Sequence, residues 1–303
     1  MYEQIAANRR NTLLLTVSMT LLLLALGYLL GVLLLDSPWA GLVIGLILAG
    51  IIAAVSYYNG SSILLNAVNA HEIQKADDPQ LFNAVEELSI AAGLPMPKIY
   101  LIDDPAPNAF ATGRNPKHSA VAITKGLREK LTRDELQGVM AHELGHIENR
   151  DILYMTMLAV MVGTIVILAD ISRRSLWYGS SRGRSSRGGS RGSSQGILIV
   201  IAVVLAVVAP LLAAIIQMAA SRQREYLADA TSAKLTRYPE GLASALEKIA
   251  NDSEELQTPN RALQALFTVN PLDKHVPTSS LFDSHPPLEE RIKRLRSIVG
   301  APS

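Results

Sequence analysis

Two histidines and a glutamate carry the clearest chemistry in this chain. His142-Glu143-Leu144-Gly145-His146 has the spacing H-E-x-x-H. Residues four apart on a helix share a face, with Cβ atoms about 6 Å apart. Two imidazoles placed that way can close on one zinc ion at Zn–N distances of about 2.0–2.1 Å. Glu143 sits one step round the helix, beside such a metal, where its carboxylate can take a proton from the attacking water. The competing explanation is a pair of surface histidines. It fits poorly with Val139, Met140, Ala141, Leu144 and Ile147, which mark a buried helix.

Two histidines do not complete a catalytic zinc site, which usually has three protein ligands and a fourth, open position. The third could be another histidine or a glutamate. No histidine follows His146 in the H-x-x-G-x-x-H spacing, and the chain has no cysteine. Thiolate ligands, disulfides and thiol nucleophiles are therefore excluded, and the redox compartment is left open. The next candidate is the run Arg222-Gln223-Arg224-Glu225-Tyr226-Leu227-Ala228-Asp229-Ala230. Glu225 and Asp229 are four apart and share a helix face, Glu225 to bind zinc and Asp229 to accept the second ring N–H of a ligating histidine. Spacing alone leaves Glu225 evenly balanced between ligand and ordinary solvated acid, because arginines adjoin it. His71, His118 and His275 show no partner spacing.

The elements that must position these groups follow from local signals. Thr132-Arg133-Asp134-Glu135 fits a capping box, so the H-E-x-x-H helix should start near Arg133. Asp78-Pro79 opens an earlier helix and Gly93 closes it, with Val85, Leu88 and Ile90 as its apolar face. Residues 98–102 and 120–124 are short β-rich runs, and 108–112 is a third extended candidate. The 120–124 run is a candidate edge strand for an extended substrate, or simply a core strand. After Pro287, Leu288, Ile292 and Leu295 recur at helical spacing.

These soluble elements are mounted on a membrane-type chain. Of 303 residues, 49% are hydrophobic and 18% charged, and mean hydropathy is +0.23. Residues 12–35, 40–57, 152–169 and 196–220 hold no charged side chain. A bilayer core of about 30 Å needs about 20 apolar residues in a helix. The first run is too long for a signal-peptide core and lacks a clear cleavage site, so it is expected to be retained. The expected organisation is a transmembrane hairpin over 1–57, the first part of a zinc domain over 58–151, a second hairpin over 152–220, and the rest of the zinc domain over 221–303. Residues 172–195 carry six arginines in a Ser/Gly background with no acid. That composition suggests a flexible connection, with contact to anionic lipid or RNA as the minor alternative. A net charge of +1 gives no global basic field for nucleic acid.

At this point a resemblance becomes specific. His-Glu-Leu-Gly-His followed by Glu-Tyr-Leu-Ala-Asp-Ala resembles the HtpX family of integral-membrane glutamate-zincins. Asn108-Ala109-Phe110-Ala111-Thr112-Gly113 and Ser284-His285-Pro286-Pro287-Leu288-Glu289-Glu290-Arg291 are similar to the same family, as is the order of the four apolar runs. The resemblance implies an α-rich α+β zincin domain with a small sheet, fused to about four transmembrane helices in two hairpins. It implies one Zn2+ per chain held by His142, His146 and Glu225, with Glu143 as the catalytic acid–base. It places Asn108, Ala109 and Phe110 along the substrate cleft. It further implies a peptide-bond hydrolase in the cell inner membrane, acting on misfolded or damaged membrane proteins. The Arg/Ser/Gly run departs from what the family leads one to expect.

Two further residues are candidates. His285, at a helix start, could donate to the oxyanion formed on attack. Arg291, about a turn and a half later, could pair with Glu225, Asp229 or the substrate backbone. A prenyl-protein-type processing protease is the rival enzyme, but four apolar runs are few for a membrane chamber. A catalytically idle scaffold would have no need of Glu143. A metal sensor or transporter would need ionisable residues inside the spans, which hold none. Arg9 and Arg10 before the first run, and Asp36 after it, place the N-terminus and hence the zinc domain in the cytoplasm. Translocating six arginines between the last two runs opposes that tendency, so the side of that stretch stays open, with translocation favoured. Oligomeric state is not legible.

Overall fold

The computed structural model describes residues 2–161, 163–164, 222–252, 254 and 286–299. The second apolar hairpin beyond residue 164, the arginine-rich run and His285 lie outside the described residues.

Helices α1 (Tyr2–Leu34) and α2 (Pro38–Ala67) form an antiparallel hairpin turned at Asp36, which adopts φ +50°. Ser37 caps α2 by accepting from the Ala40 N–H, and Pro38 starts it. Glycines let the two backbones touch: a Cβ on Gly27 would lie 2.3 Å from the Gly41 carbonyl oxygen, and one on Gly45 2.6 Å from that of Leu23. Small residues four apart are a usual device for close helix packing in lipid. Both helices are long and apolar enough to cross a bilayer, the only two among the described residues. Leu13, Leu21, Val43, Leu46, Ile47 and Ile51 face outward from them. Helix α2 continues ten residues past the expected boundary at Tyr57 and runs through Asn59-Gly60, where the glycine serves close packing: a Cβ there would sit 2.7 Å from the Thr156 side chain. The helix ends before Asn69 takes φ +52°.

A four-stranded sheet follows, of β1 (His71–Glu72), β2 (Lys98–Ile102), β3 (Ala109–Asn115) and β4 (His118–Thr124). Its order is β1-β2-β4-β3, with β2 and β4 parallel and the other pairs antiparallel. The 120–124 run is therefore an inner strand, not an edge; β3 takes the edge. Alternate residues serve two layers. Ile99, Ala109, Ala111, Val121 and Ile123 pack into the main core, while Ile102, Phe110, Ala120 and Ala122 pack on Leu64 and Leu65 of α2. Burial on both faces explains why β4 lacks the polar–apolar alternation of a half-exposed strand.

Helix α3 (Pro79–Ala92) has the expected ends, with Asp78 capping the Leu81 N–H and Gly93 left-handed at φ +65°. Its buried face is Leu81, Val85 and Leu88; Ile90 points outward, 76% exposed. The short α4 (Lys125–Lys130) leads to α5 (Arg133–Glu148), where Thr132 and Glu135 complete the capping box. Val139, Met140, Ala141, Leu144 and Ile147 are fully buried, as their pattern predicts. After a left-handed Arg150 (φ +58°), α6 (Asp151–Met161) turns back along the hairpin. Its Tyr154, Met157, Leu158 and Met161 pack with Leu15, Met19 and Leu22 of α1. Helices α7 (Arg222–Thr236), α8 (Pro239–Ala250) and α9 (Leu288–Val299) close the core over α5. Leu295 is buried, with Leu288 and Ile292 packed against the same core.

Candidate metal centre

Helix α5 supplies His142 and His146 on one face, and α7 lies directly across it. Gly145 makes this closeness available: a Cβ there would sit 3.2 Å from the Ala228 Cα and 3.2 Å from the Thr231 Cβ. Ser232 Oγ of α7 also donates to the Gly138 carbonyl at 2.7 Å, fixing the pair. Glu225, one turn back on α7, thereby faces both histidines.

The two Nε2 atoms point at one another across 3.2 Å. Glu225 Oε2 lies 3.7 Å from His142 Nε2, and its Oε1 3.8 Å from His146 Nε2. Donors about 2.0–2.1 Å from one tetrahedral ion would be about 3.3–3.4 Å apart. The two nitrogens match that spacing, and the carboxylate approaches each with a different oxygen at 3.7–3.8 Å. One ligand atom from each residue lies within 4.8 Å of the others, so the donor set fits zinc with a small inward turn of the Glu225 side chain. Among the described residues, His142, His146 and Glu225 are the group able to hold a metal ion.

The other ring nitrogens are tied down. His142 Nδ1 is 3.0 Å from Asp229 Oδ1, and His146 Nδ1 is 3.0 Å from Asp151 Oδ2. A neutral imidazole that donates Nδ1–H to a carboxylate presents the Nε2 lone pair, which is the form a metal requires. Asp229 was legible as such an acceptor from its i+4 relation to Glu225. Asp151 was missed, although a second ligating histidine needs an acceptor as much as the first.

Arg291 reaches in from α9 with no solvent exposure. Its Nε and Nη2 donate to Asp229 at 2.9 and 2.7 Å, and its Nη1 lies 3.5 Å from Glu225 Oε2. Burial alone raises the Asp229 carboxyl, but Arg291 and His142 override it and hold the group down at about 2. Burial lowers His146, but the bond from Asp151 and the negative charges of Glu225 and Glu143 dominate, raising it to about 9 without a cation. A cation held at Nε2 would take the place of that proton. Glu143, 2% exposed, follows His142 on α5, and its charge acts on both His146 and Arg291. Arg224 is buried beside Glu225 and stacks 4.8 Å from the Tyr154 ring, a neighbour that no local pattern marks.

The structure puts Asn108, Ala109 and Phe110 at the start of edge strand β3, which packs on α5. Asn108 N–H donates to Thr124 Oγ1 at 2.9 Å, and its own Oδ1 accepts from the Ala109 N–H at 2.9 Å. The Ala109 and Phe110 side chains belong to the core. Any part they play in a cleft therefore falls to the main chain.

With this geometry in view, comparison with known proteins is decisive. Residues 75–299 match the model of peptidase family M48. The chain belongs to peptidase family M48. A protease HtpX homolog of Lactobacillus helveticus is 43% identical over 299 residues, covering 98% of this chain and 100% of that protein. Another, of Dictyoglomus turgidum, is 45% identical over 295 residues, covering 97% and 94%. Among solved structures, S. mikatae Ste24p aligns with a TM-score of 0.52 at 22% identity, over 97% of this chain and 67% of its own, a likeness of fold. This M48 chain is a membrane-associated zinc metalloprotease acting on peptide or protein substrates. The expected α-rich fold with a small sheet is present, with two of the four expected membrane helices among the described residues.

Proposed function

We propose that the protein is a membrane-embedded endopeptidase in which His142, His146 and Glu225 hold zinc and Glu143 moves the proton. The observation that carries this reading is the convergence of both Nε2 atoms and the Glu225 carboxylate, with each Nδ1 fixed by its own aspartate. Held by these three residues, zinc would supply polarisation of a carbonyl and a lowered pKa for water. Glu143 takes the proton from the attacking water and returns it to the leaving amine. Arg291 and Asp229 hold His142 and Glu225 in place rather than meeting the substrate. His285 remains a candidate oxyanion donor on sequence grounds.

Strand β3 is the edge nearest α5, and a substrate added beside it would be held by main-chain hydrogen bonds with little sequence preference. Such recognition suits extended, unfolded chains. The metal centre adjoins α1 and α6, which favours misfolded or damaged membrane proteins as substrates and a role in membrane protein quality control. Two hairpins, the first reaching Ala67 and the second over 152–220, would then carry a cytoplasmic zinc domain assembled from 68–151 and 221–303.

The test is hydrolysis of casein by the full chain in detergent. Activity should vanish on chelation and return with one zinc per chain; metal-independent hydrolysis would overturn the assignment. Single cysteines at Gln4 and Ser303, in a chain with none of its own, should resist an impermeant reagent in intact cells. Labelling at Ser303 would refute the cytoplasmic domain.

A further inference from the structure

Helix α1 does more than anchor the chain. Its buried face runs Asn8, Leu15, Met19 and Leu22, and Asn8 is only 3% exposed while Arg9 and Arg10 beside it are exposed. The apolar members of this face pack on α6. Asn8 occupies the same face where α1 meets the first residue of α6, Asp151. There its Nδ2 donates to Asp151 Oδ1 and, at 3.2 Å, to the Asn149 carbonyl at the end of α5. The other oxygen of Asp151 accepts from His146 Nδ1 at 3.0 Å. Asp151 is 1% exposed. Its orientation is thus fixed between a membrane helix and a ring nitrogen.

We infer that Asn8 is a positioning residue for the metal centre: through Asp151 it sets the orientation of His146, so that the affinity for zinc depends on the seating of α1. This rests on the reading of His146 as a zinc ligand. An apolar side chain at this place would pack on α6 as Leu15 does, so helix packing alone does not call for an amide. A buried amide that satisfies two groups at the junction of α5 and α6 has a directional task. A carboxylate with one oxygen unheld would rotate about its terminal torsion, and the imidazole with it.

The experiment measures zinc affinity of the full chain in detergent by competition with a chelator. Five proteins are compared: wild type, Asn8→Leu, Asn8→Asp, Asp151→Asn and the double variant Asn8→Leu/Asp151→Asn. Asp151→Asn should weaken zinc binding on the order of 10–100-fold, as for other partners of a ligating histidine. Asn8→Leu should weaken it by roughly 3–10-fold, one bond further from the metal. The double variant should bind no more weakly than Asp151→Asn alone, since both act through one carboxylate. Cobalt substitution should show an altered ligand-field spectrum in each single variant. Thermal unfolding of each zinc-free variant separates positioning from misfolding. Asn8→Asp, of the same size, sets a second carboxylate against Asp151 and should weaken zinc binding at least as much as leucine does. An unchanged zinc affinity in both Asn8 variants, or additive losses in the double variant, would overturn the inference. Absence of tight zinc binding in the wild type would instead overturn the metal site itself.

Discussion

Replacing Arg291 with methionine tests how the centre tolerates its carboxylates without metal. Methionine keeps much of the stem and removes the guanidinium. Arg291 is fully buried, bidentate to Asp229 at 2.9 and 2.7 Å, and 3.5 Å from Glu225. Its loss leaves two acids on one face of α7 without their cation, while Asp229 keeps only the bond from His142 Nδ1 at 3.0 Å. Breaking a buried pair by removing one partner costs about 3–5 kcal/mol, a large share of the roughly 5–15 kcal/mol that stabilises a domain. In the zinc-loaded protein the metal supplies positive charge at the same place, so the loss should shrink. The assay is urea unfolding of the full chain in detergent at neutral pH, zinc-free and zinc-loaded. Arg291→Met combined with Asp229→Asn should lose less than the sum of the two, by on the order of 1–3 kcal/mol. A loss below about 1 kcal/mol in the zinc-free protein, or strictly additive variants, would refute this account of Arg291.

Other perturbations separate the remaining roles. Glu225→Ala should abolish tight zinc binding, whereas Asp229→Asn should weaken it on the order of 10–100-fold, both read by chelator competition; equal occupancy in wild type and Glu225→Ala would remove Glu225 from the ligand set. Burial raises the capping-box acid Glu135, but Lys248, Ser244 and Thr132 outweigh it and hold the carboxyl at about 2. Because its folded pKa is depressed, the stability it contributes is present above the ordinary carboxylate range near 4.5 and is lost as pH falls towards 2. Glu135→Gln should therefore destabilise the neutral protein by about 1–3 kcal/mol and flatten its acid unfolding between those limits, as urea titrations at stepped pH would show.

Features set by neighbouring residues were legible in the sequence. The capping box at Thr132, the proline and glycine bounding α3, the buried face of α5 and the stripe on α9 all depend on contacts within a turn or two, and all appear where expected. Glu225 and Asp229 were legible through their shared face, although choosing between ligand and solvated acid needed the resemblance or the fold. What was hidden depends on pairing across the chain. Strand order decides that β4 is inner and β3 is the edge, and no local pattern in 120–124 reports this, because both its faces are covered. Ile90 was misassigned because helical spacing from Leu88 was not extended back to Leu81, which fills the core instead. Asn8 finds its partner 143 residues away, so nothing near it in sequence marks it.

The most direct test of the central claim pairs metal analysis with catalysis in Glu143→Gln. Glutamine keeps the shape of the side chain and cannot take a proton, and Glu143 stands outside the His142, His146 and Glu225 group. The full chain carrying this change should hold one zinc, as the wild type does, and show no hydrolysis of casein. A zinc-loaded Glu143→Gln protein that still cleaves peptide bonds would contradict the account.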